Sequence, residues 1–140
     1  MVQEHRLQIE ASTQNIEAAC KFVTEIARSS NMDDESIHHC YLAVEEICVN
    51  IIEHGYHLDN QDGIIIIVCR QYPNHLSITF IDNANPFNPL LQPTPNPKTP
   101  LWERKKGGWG IYFVKKYMDR ISYQFQQNHN HLTIEKDFIL

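Results

Sequence analysis

The sequence predicts an α+β domain, a two-layer α/β sandwich with helices on one face of a largely antiparallel, mixed sheet. Three observations carry that expectation. Apolar periodicity switches between strand-like and helix-like stretches in the order β-α-α-β-β-loop-α-β-β. The strands come in adjacent pairs joined by turn residues rather than alternating one for one with helices. The chain has 140 residues, 42% of them hydrophobic and 10% aromatic, which suffices for one core and a single domain over 1–140.

Leu7, Ile9 and Ala11 alternate as in a strand, and Ile16, Cys20, Val23, Ile26 and Ala27 then follow helical spacing. A second helix is expected to start within 31–34, where short polar and acidic residues suit an N-cap and first turn. It runs to His54, with Gly55 placed to stop it. Asp62-Gly63 introduces the β-branched run 64–68, Tyr72-Pro73-Asn74 reverses the chain, and Leu76, Ile78 and Phe80 alternate with Ser77 and Thr79. Six of the seven prolines, Pro86, Pro89, Pro93, Pro95, Pro97 and Pro100, then exclude regular structure. Long structureless loops inside compact domains are uncommon and often serve as lids, so the segment at about 86–106 is a candidate lid, with a plain surface connection as the alternative. Three glycines within Gly107-Gly108-Trp109-Gly110 open a helical pattern of Ile111, Val114, Tyr117 and Met118, and two strands around Asn128-His129-Asn130 close the chain.

Twelve Lys and Arg against 17 Asp and Glu give a net charge of -5, the wrong sign for neutralising a phosphate backbone, so nucleic acid is not an expected partner. The first ten residues lack a signal-type apolar core and no stretch approaches the ~20 apolar residues of a spanning helix, which predicts a cytoplasmic protein without membrane contact. Cys20, Cys40, Cys48 and Cys69 lack CxxC spacing and read as reduced, buried small hydrophobes. His38, His39, His54 and His57 show no HExxH pairing, which argues against a histidine metal site.

Three segments carry chemistry. On the second helix Glu46, Asn50, Glu53 and His54 form a narrow polar stripe beside a broad apolar arc; Glu46 and Asn50 stand i,i+4, so a carboxylate and an amide project from consecutive turns. They can hold a metal and a reactive oxygen together, or form an ordinary solvent-facing edge. Asp82 ends a strand and enters a turn-rich segment, where a carboxylate can accept a hydrogen bond from an exocyclic amine such as that of adenine; turn initiation is the simpler alternative. The glycine cluster before the last helix leaves N–H groups unobstructed at the positive end of a helix dipole, suited to anions or to close helix packing. Arg104, Lys105 and Lys106 precede it.

Together these segments resemble the GHKL ATP-binding family, in particular its small anti-sigma-factor serine kinases of the RsbW type. LAVEEICVNIIEHGY (42–56) is similar to that family's N-box, DNANPFNP (82–89) to its G1 box, and GGWGIYFVKKYMD (107–119) to its G2 box. The resemblance implies the GHKL fold, ATP and Mg2+ as cofactors, and serine/threonine kinase activity. By it, Glu46 is the general base and Asn50 the Mg2+ ligand. His54, Asp82, Ala84, Pro86, Phe87, Arg104, Gly107, Gly108, Trp109, Gly110 and Ile111 surround the nucleotide, with Thr133 supporting Asp82 through its hydroxyl. It further implies a sigma factor and a STAS-type antagonist as protein partners, and a homodimer.

Two departures stand out. Ala84 occupies a position where the G1 box usually has glycine; if that position needs φ > 0, alanine costs about 1 kcal/mol. Trp109 stands where a smaller aliphatic residue is usual. The alternative function is a nucleotide-gated protein-binding module that transfers no phosphate. Histidine kinases, chaperones and topoisomerases of the same family need further domains for which 140 residues leave no room.

Overall fold

A computed structural model describes residues 2–56, 60–91, 95–100, 102 and 109–138. The chain runs β1 (Gln3–Ala11), α1 (Ile16–Ser29), α2 (Asp34–Asn50), β2 (Asn60–Gln71), β3 (His75–Asp82), α3 (Trp109–Tyr117), β4 (Arg120–Gln126) and β5 (His129–Asp137). This is the expected element order. The five strands form one sheet in the order β1-β2-β3-β5-β4, antiparallel at all four interfaces.

Strand alternation separates the two faces. Ile65, Ile67 and Cys69 of β2, Leu76, Ile78 and Phe80 of β3, and Leu132 and Ile134 of β5 are buried against Val23 and Ile26 of α1 and Val44, Ile47 and Cys48 of α2. Residues out of phase with these, such as Glu4, Arg70, Thr133 and Glu135, lie on the outer face by register. All four cysteines sit in the core, and burial pushes the thiols of Cys20, Cys40 and Cys69 up to about 12. No helix among the described residues is long and apolar enough to cross a membrane.

Three details differ from the sequence reading. α2 is capped by Asp33, whose side chain accepts a hydrogen bond from the Ser36 N–H at 3.2 Å, but it does not stop on a left-handed glycine. Its last turn, Ile51–Gly55, widens into a π-helix closed by the Tyr56 N–H on the Ile51 carbonyl at 3.0 Å. The final hairpin turns one step earlier than expected, on Gln127 and Asn128 at φ 52° and 61°, a two-residue turn matching the twist of its strands. Asn130 consequently belongs to β5. In the proline-rich segment a 3-10 turn forms at Pro89–Leu91.

Candidate functional site

The π-turn at the end of α2 has a local consequence. Hydrogen bonding between residues five apart aligns such residues on one face, so Asn50 and Gly55 open onto the same cavity, together with Ile51. Gly55 serves there by its missing side chain: a Cβ on it would stand 3.2 Å from the Ala84 methyl. Beyond it the Tyr56 hydroxyl accepts the Asn83 N–H at 3.0 Å and lies 2.8 Å from the Ile64 carbonyl, fixing the turn after β3 to the end of the helix.

Across the cavity Asp82 ends β3 on the helix-facing side, directly opposite Asn130 of β5, and both are 5% exposed. Asp82 Oδ1 accepts hydrogen bonds from the Ala84 N–H at 3.0 Å and Asn130 Nδ2 at 2.9 Å. Its other oxygen has no hydrogen-bond partner among the described residues and remains able to accept. Burial raises the Asp82 carboxyl above the usual carboxylate range, opposed by those two donors. Asn130 organises the whole loop: Nδ2 also reaches the carbonyls of Ala84 (3.2 Å) and Asn85 (3.1 Å), while Oδ1 accepts the Phe87 N–H at 3.1 Å and the Tyr123 hydroxyl. Phe87, Pro89, Tyr123 and Leu132 complete the cavity wall, and the exposed His54 ring stacks on Phe87 at 5.8 Å.

One helical turn before Asn50, Glu46 meets the start of α3. A Cβ added to Gly110 would meet Glu46 Oε2, so the missing side chain lets the helix opening come down on this carboxylate in its present rotamer. Burial raises the Glu46 carboxyl, with the neighbouring charges of Glu45 and Glu53 adding to the shift. One helix thus links two places: Asn50 shares a cavity with Asp82, and Glu46 touches the first turn of α3.

Several expectations need restating. Thr133 does not stand beside Asp82. It lies on the outer face of the sheet, odd in phase against the even-phase Asp82, and its hydroxyl pairs with that of Thr79 at 2.9 Å. Ala84 is free of the feared strain, because among the described non-glycine residues only Asn31, Gln127 and Asn128 have positive φ. Ile111 is a buried anchor of α3, and Pro86 is exposed at the loop surface. Arg104, Gly107 and Gly108 lie outside the described residues, as does the Trp109 side chain. Asn130, Tyr123 and Tyr56 went unread in the sequence. A signal for Asn130 existed, since it stands in phase with Leu132 and Ile134.

The model of the histidine kinase-like ATPase domain matches residues 9–136. The serine/threonine-protein kinase BtrW of Bordetella bronchiseptica is 27% identical over 93 residues, covering 66% of this chain and 65% of that protein. The serine-protein kinase RsbW of Bacillus licheniformis is 26% identical over 104 residues, 71% of this chain and 64% of its own length. The chain spans just under two thirds of the length of these curated relatives. A crystal structure of RsbU and RsbW domains from Mycobacterium tuberculosis superposes with a TM-score of 0.66 at 15% identity, covering 96% of this chain and 32% of that one, a likeness of fold.

Proposed function

Because the chain belongs to the histidine kinase-like ATPase domain family, we propose that it is an ATP-dependent serine/threonine protein kinase and anti-sigma-type regulator that phosphorylates a STAS-domain antagonist. The observation that carries this reading is the placement of Glu46 and Asn50 on consecutive turns of α2, one against Gly110 and the other on the cavity of Asp82.

The donor set suits Mg-ATP. A buried carboxylate with one oxygen open to an amine matches the adenine edge, and a single helix amide suits a cation that keeps most of its water. Bound Mg-ATP supplies the phosphoryl group for transfer. Asp82 and Ala84 hold the base end, Asn50 supplies an amide oxygen for the cation, and Trp109 and Gly110 open α3 with N–H groups at its positive end. Glu46 accepts the hydroxyl proton of the protein acceptor, a role helped by its raised basicity. The cavity beside Asp82 is narrow, about 20 Å³, with Phe87 in its wall. A cytoplasmic setting, a sigma factor as second partner and a homodimer belong to the same proposal.

The test is incubation with labelled ATP and candidate STAS-domain proteins. Wild type phosphorylates one of them, and Glu46→Gln lowers the rate about 100-fold or more while retaining Mg-ATP binding. The wild-type rate falls with acidity at a higher pH than an ordinary carboxylate would dictate, since a raised pKa means earlier protonation of the base. Undiminished transfer by Glu46→Gln overturns the assignment. Binding without transfer to any acceptor favours the non-catalytic module, a reading that loses its support at Ala84 because that residue's backbone is unstrained.

A further inference from the structure

We infer that Tyr123 is a positioning residue for base selection: its hydroxyl begins a hydrogen-bond chain through Asn130 that aims the Asp82 carboxylate at the exocyclic amine of the nucleotide. This role rests on the nucleotide site proposed above and assigns part of that site's selectivity to a side chain on the edge strand.

The chain of bonds crosses three neighbouring strands on the helix-facing side of the sheet. Asp82 of β3 stands opposite Asn130 of β5, and Tyr123 of β4 stands opposite Leu132, one step along the same face from Asn130. Diagonal neighbours of this kind are about 7–8 Å apart, a span that a tyrosine bridges and a short side chain does not. The Tyr123 hydroxyl donates to Asn130 Oδ1, and Asn130 Nδ2 donates in turn to Asp82 Oδ1 at 2.9 Å. Burial holds the Tyr123 hydroxyl above its ordinary range, so it keeps the proton that it donates.

The direction of the Asn130 amide decides how well Asp82 is held. Its nitrogen carries two N–H groups and faces three acceptors, Asp82 Oδ1 and the carbonyls of Ala84 at 3.2 Å and Asn85 at 3.1 Å, so they compete for it. Its oxygen takes the Phe87 N–H at 3.1 Å and the Tyr123 hydroxyl. Ala84, Asn85 and Phe87 all belong to the loop after β3, and Tyr123 alone among these partners pulls from the opposite strand. Without its hydroxyl the amide settles toward the loop and its bond to Asp82 weakens. With it, Asp82 Oδ1 is occupied by Asn130 and by the Ala84 N–H at 3.0 Å, and the second carboxylate oxygen is left in a fixed direction for an amine. The Tyr123 ring also lines the cavity beside Phe87 and Leu132. A phenyl ring supplies that wall equally well, whereas the hydroxyl acts on the base only through Asn130.

The experiment measures, by calorimetry on the full chain, the Kd of Mg-ATP and that of the magnesium complex of purine riboside triphosphate, which lacks only the exocyclic amine. Wild type should prefer ATP by about tenfold or more. Tyr123→Phe should reduce that preference about threefold or more, by raising the Kd for Mg-ATP while the Kd for the analogue stays within about twofold of wild type. A purely structural loss weakens both nucleotides alike and leaves the ratio unchanged, so the ratio reads positioning and not stability. Placing 4-aminophenylalanine at the same position returns an N–H donor to the ring and should restore the preference. An unchanged ratio in Tyr123→Phe overturns the role of Tyr123 and leaves the nucleotide site standing. A wild type that binds both nucleotides equally removes Asp82 as the reader of the amine, and the chain of bonds loses its function with it. A wild type that binds neither overturns the nucleotide site itself.

Discussion

At one end of the β3–β5 ladder Asp82 faces Asn130, each 5% exposed, and at the other end His75 faces Asp137, beside an Arg120 whose side chain is 48% exposed. Both ends are polar and both hold a carboxylate in a dense set of hydrogen bonds. At the exposed end Arg120 grips Asp137 with two parallel bonds at 3.0 and 2.5 Å, and Asp137 is held below the usual carboxylate range by that guanidinium. At the buried end no Lys or Arg among the described residues pairs with the carboxylate; Asp82 has two neutral donors, His129 and His131 act on it only weakly, and its carboxyl is pushed up instead of down. Water competes for the first cluster and is excluded from the second, so similar chemistry has different weight. The exposed pair decorates the end of a sheet, whereas the buried pair fixes a loop and keeps one oxygen open toward the cavity.

The comparison is tested most severely at Asn130. Replacing it with leucine removes the donor to Asp82 and to the Ala84 and Asn85 carbonyls, and strands the Phe87 N–H, all in a site closed to water. Asn130→Leu should lose about 2–3 kcal/mol of unfolding free energy in urea. It should also abolish the rise in melting temperature on adding Mg-ATP, since the loop that carries Ala84 and Phe87 is no longer fixed. A variant as stable as wild type would erase the distinction between the two ends.

Most of the fold was legible in the sequence, because apolar periodicity and turn chemistry act locally: the nine-segment order, the hairpin grouping and the Asp33 cap all follow from near neighbours in the chain. What escaped is what depends on phase or on a distant contact. Thr133 looked suitable by residue type, yet an odd phase against Asp82 puts its hydroxyl through the sheet to Thr79. Asn130 looked like a turn residue because the hairpin apex is ambiguous by one step, and that single step decides which face it serves. Gly55 and Gly110 were readable as a helix stop and an anion cradle. Their close approaches to Ala84 and Glu46 are tertiary facts that no local pattern announces.

Asp82 gives the second test. Its folded pKa is raised by burial, so the folded chain takes up a proton more readily than the unfolded one; the charged form costs stability above the folded pKa, and that cost fades as pH falls through it. Asp82→Asn keeps an oxygen to accept from Ala84 and Asn130 but removes the buried charge. It should be about 1 kcal/mol more stable than wild type at neutral pH, an advantage that shrinks in acid, while Mg-ATP affinity is lost. Thermal melts across the acid-to-neutral range, with and without nucleotide, check both arms. A variant less stable than wild type at neutral pH would mean that the carboxylate is a net structural asset, like its counterpart at the other end.

Arg120→Ala sits at the small end of the scale. The bidentate pair with Asp137 is its most conspicuous contact, and Arg120 Nε also lies 3.4 Å from Glu135. The strand end nonetheless has other closures. The Asp119 N–H donates to the Glu135 carbonyl at 2.9 Å, the Asp137 N–H to Asp119 Oδ2 at 2.7 Å, and the Phe138 N–H to the Asn74 carbonyl at 3.1 Å. Since this scaffold survives the substitution and the charges remain hydrated, the melting temperature should shift by about 2 °C or less at low salt. The difference should vanish at high salt, where screening already weakens the wild-type pair. Mg-ATP binding, which we propose for the opposite end of the ladder, should not change. A loss approaching that of Asn130→Leu would instead place the anchor of β5 at the exposed end and reverse the ranking of the two clusters.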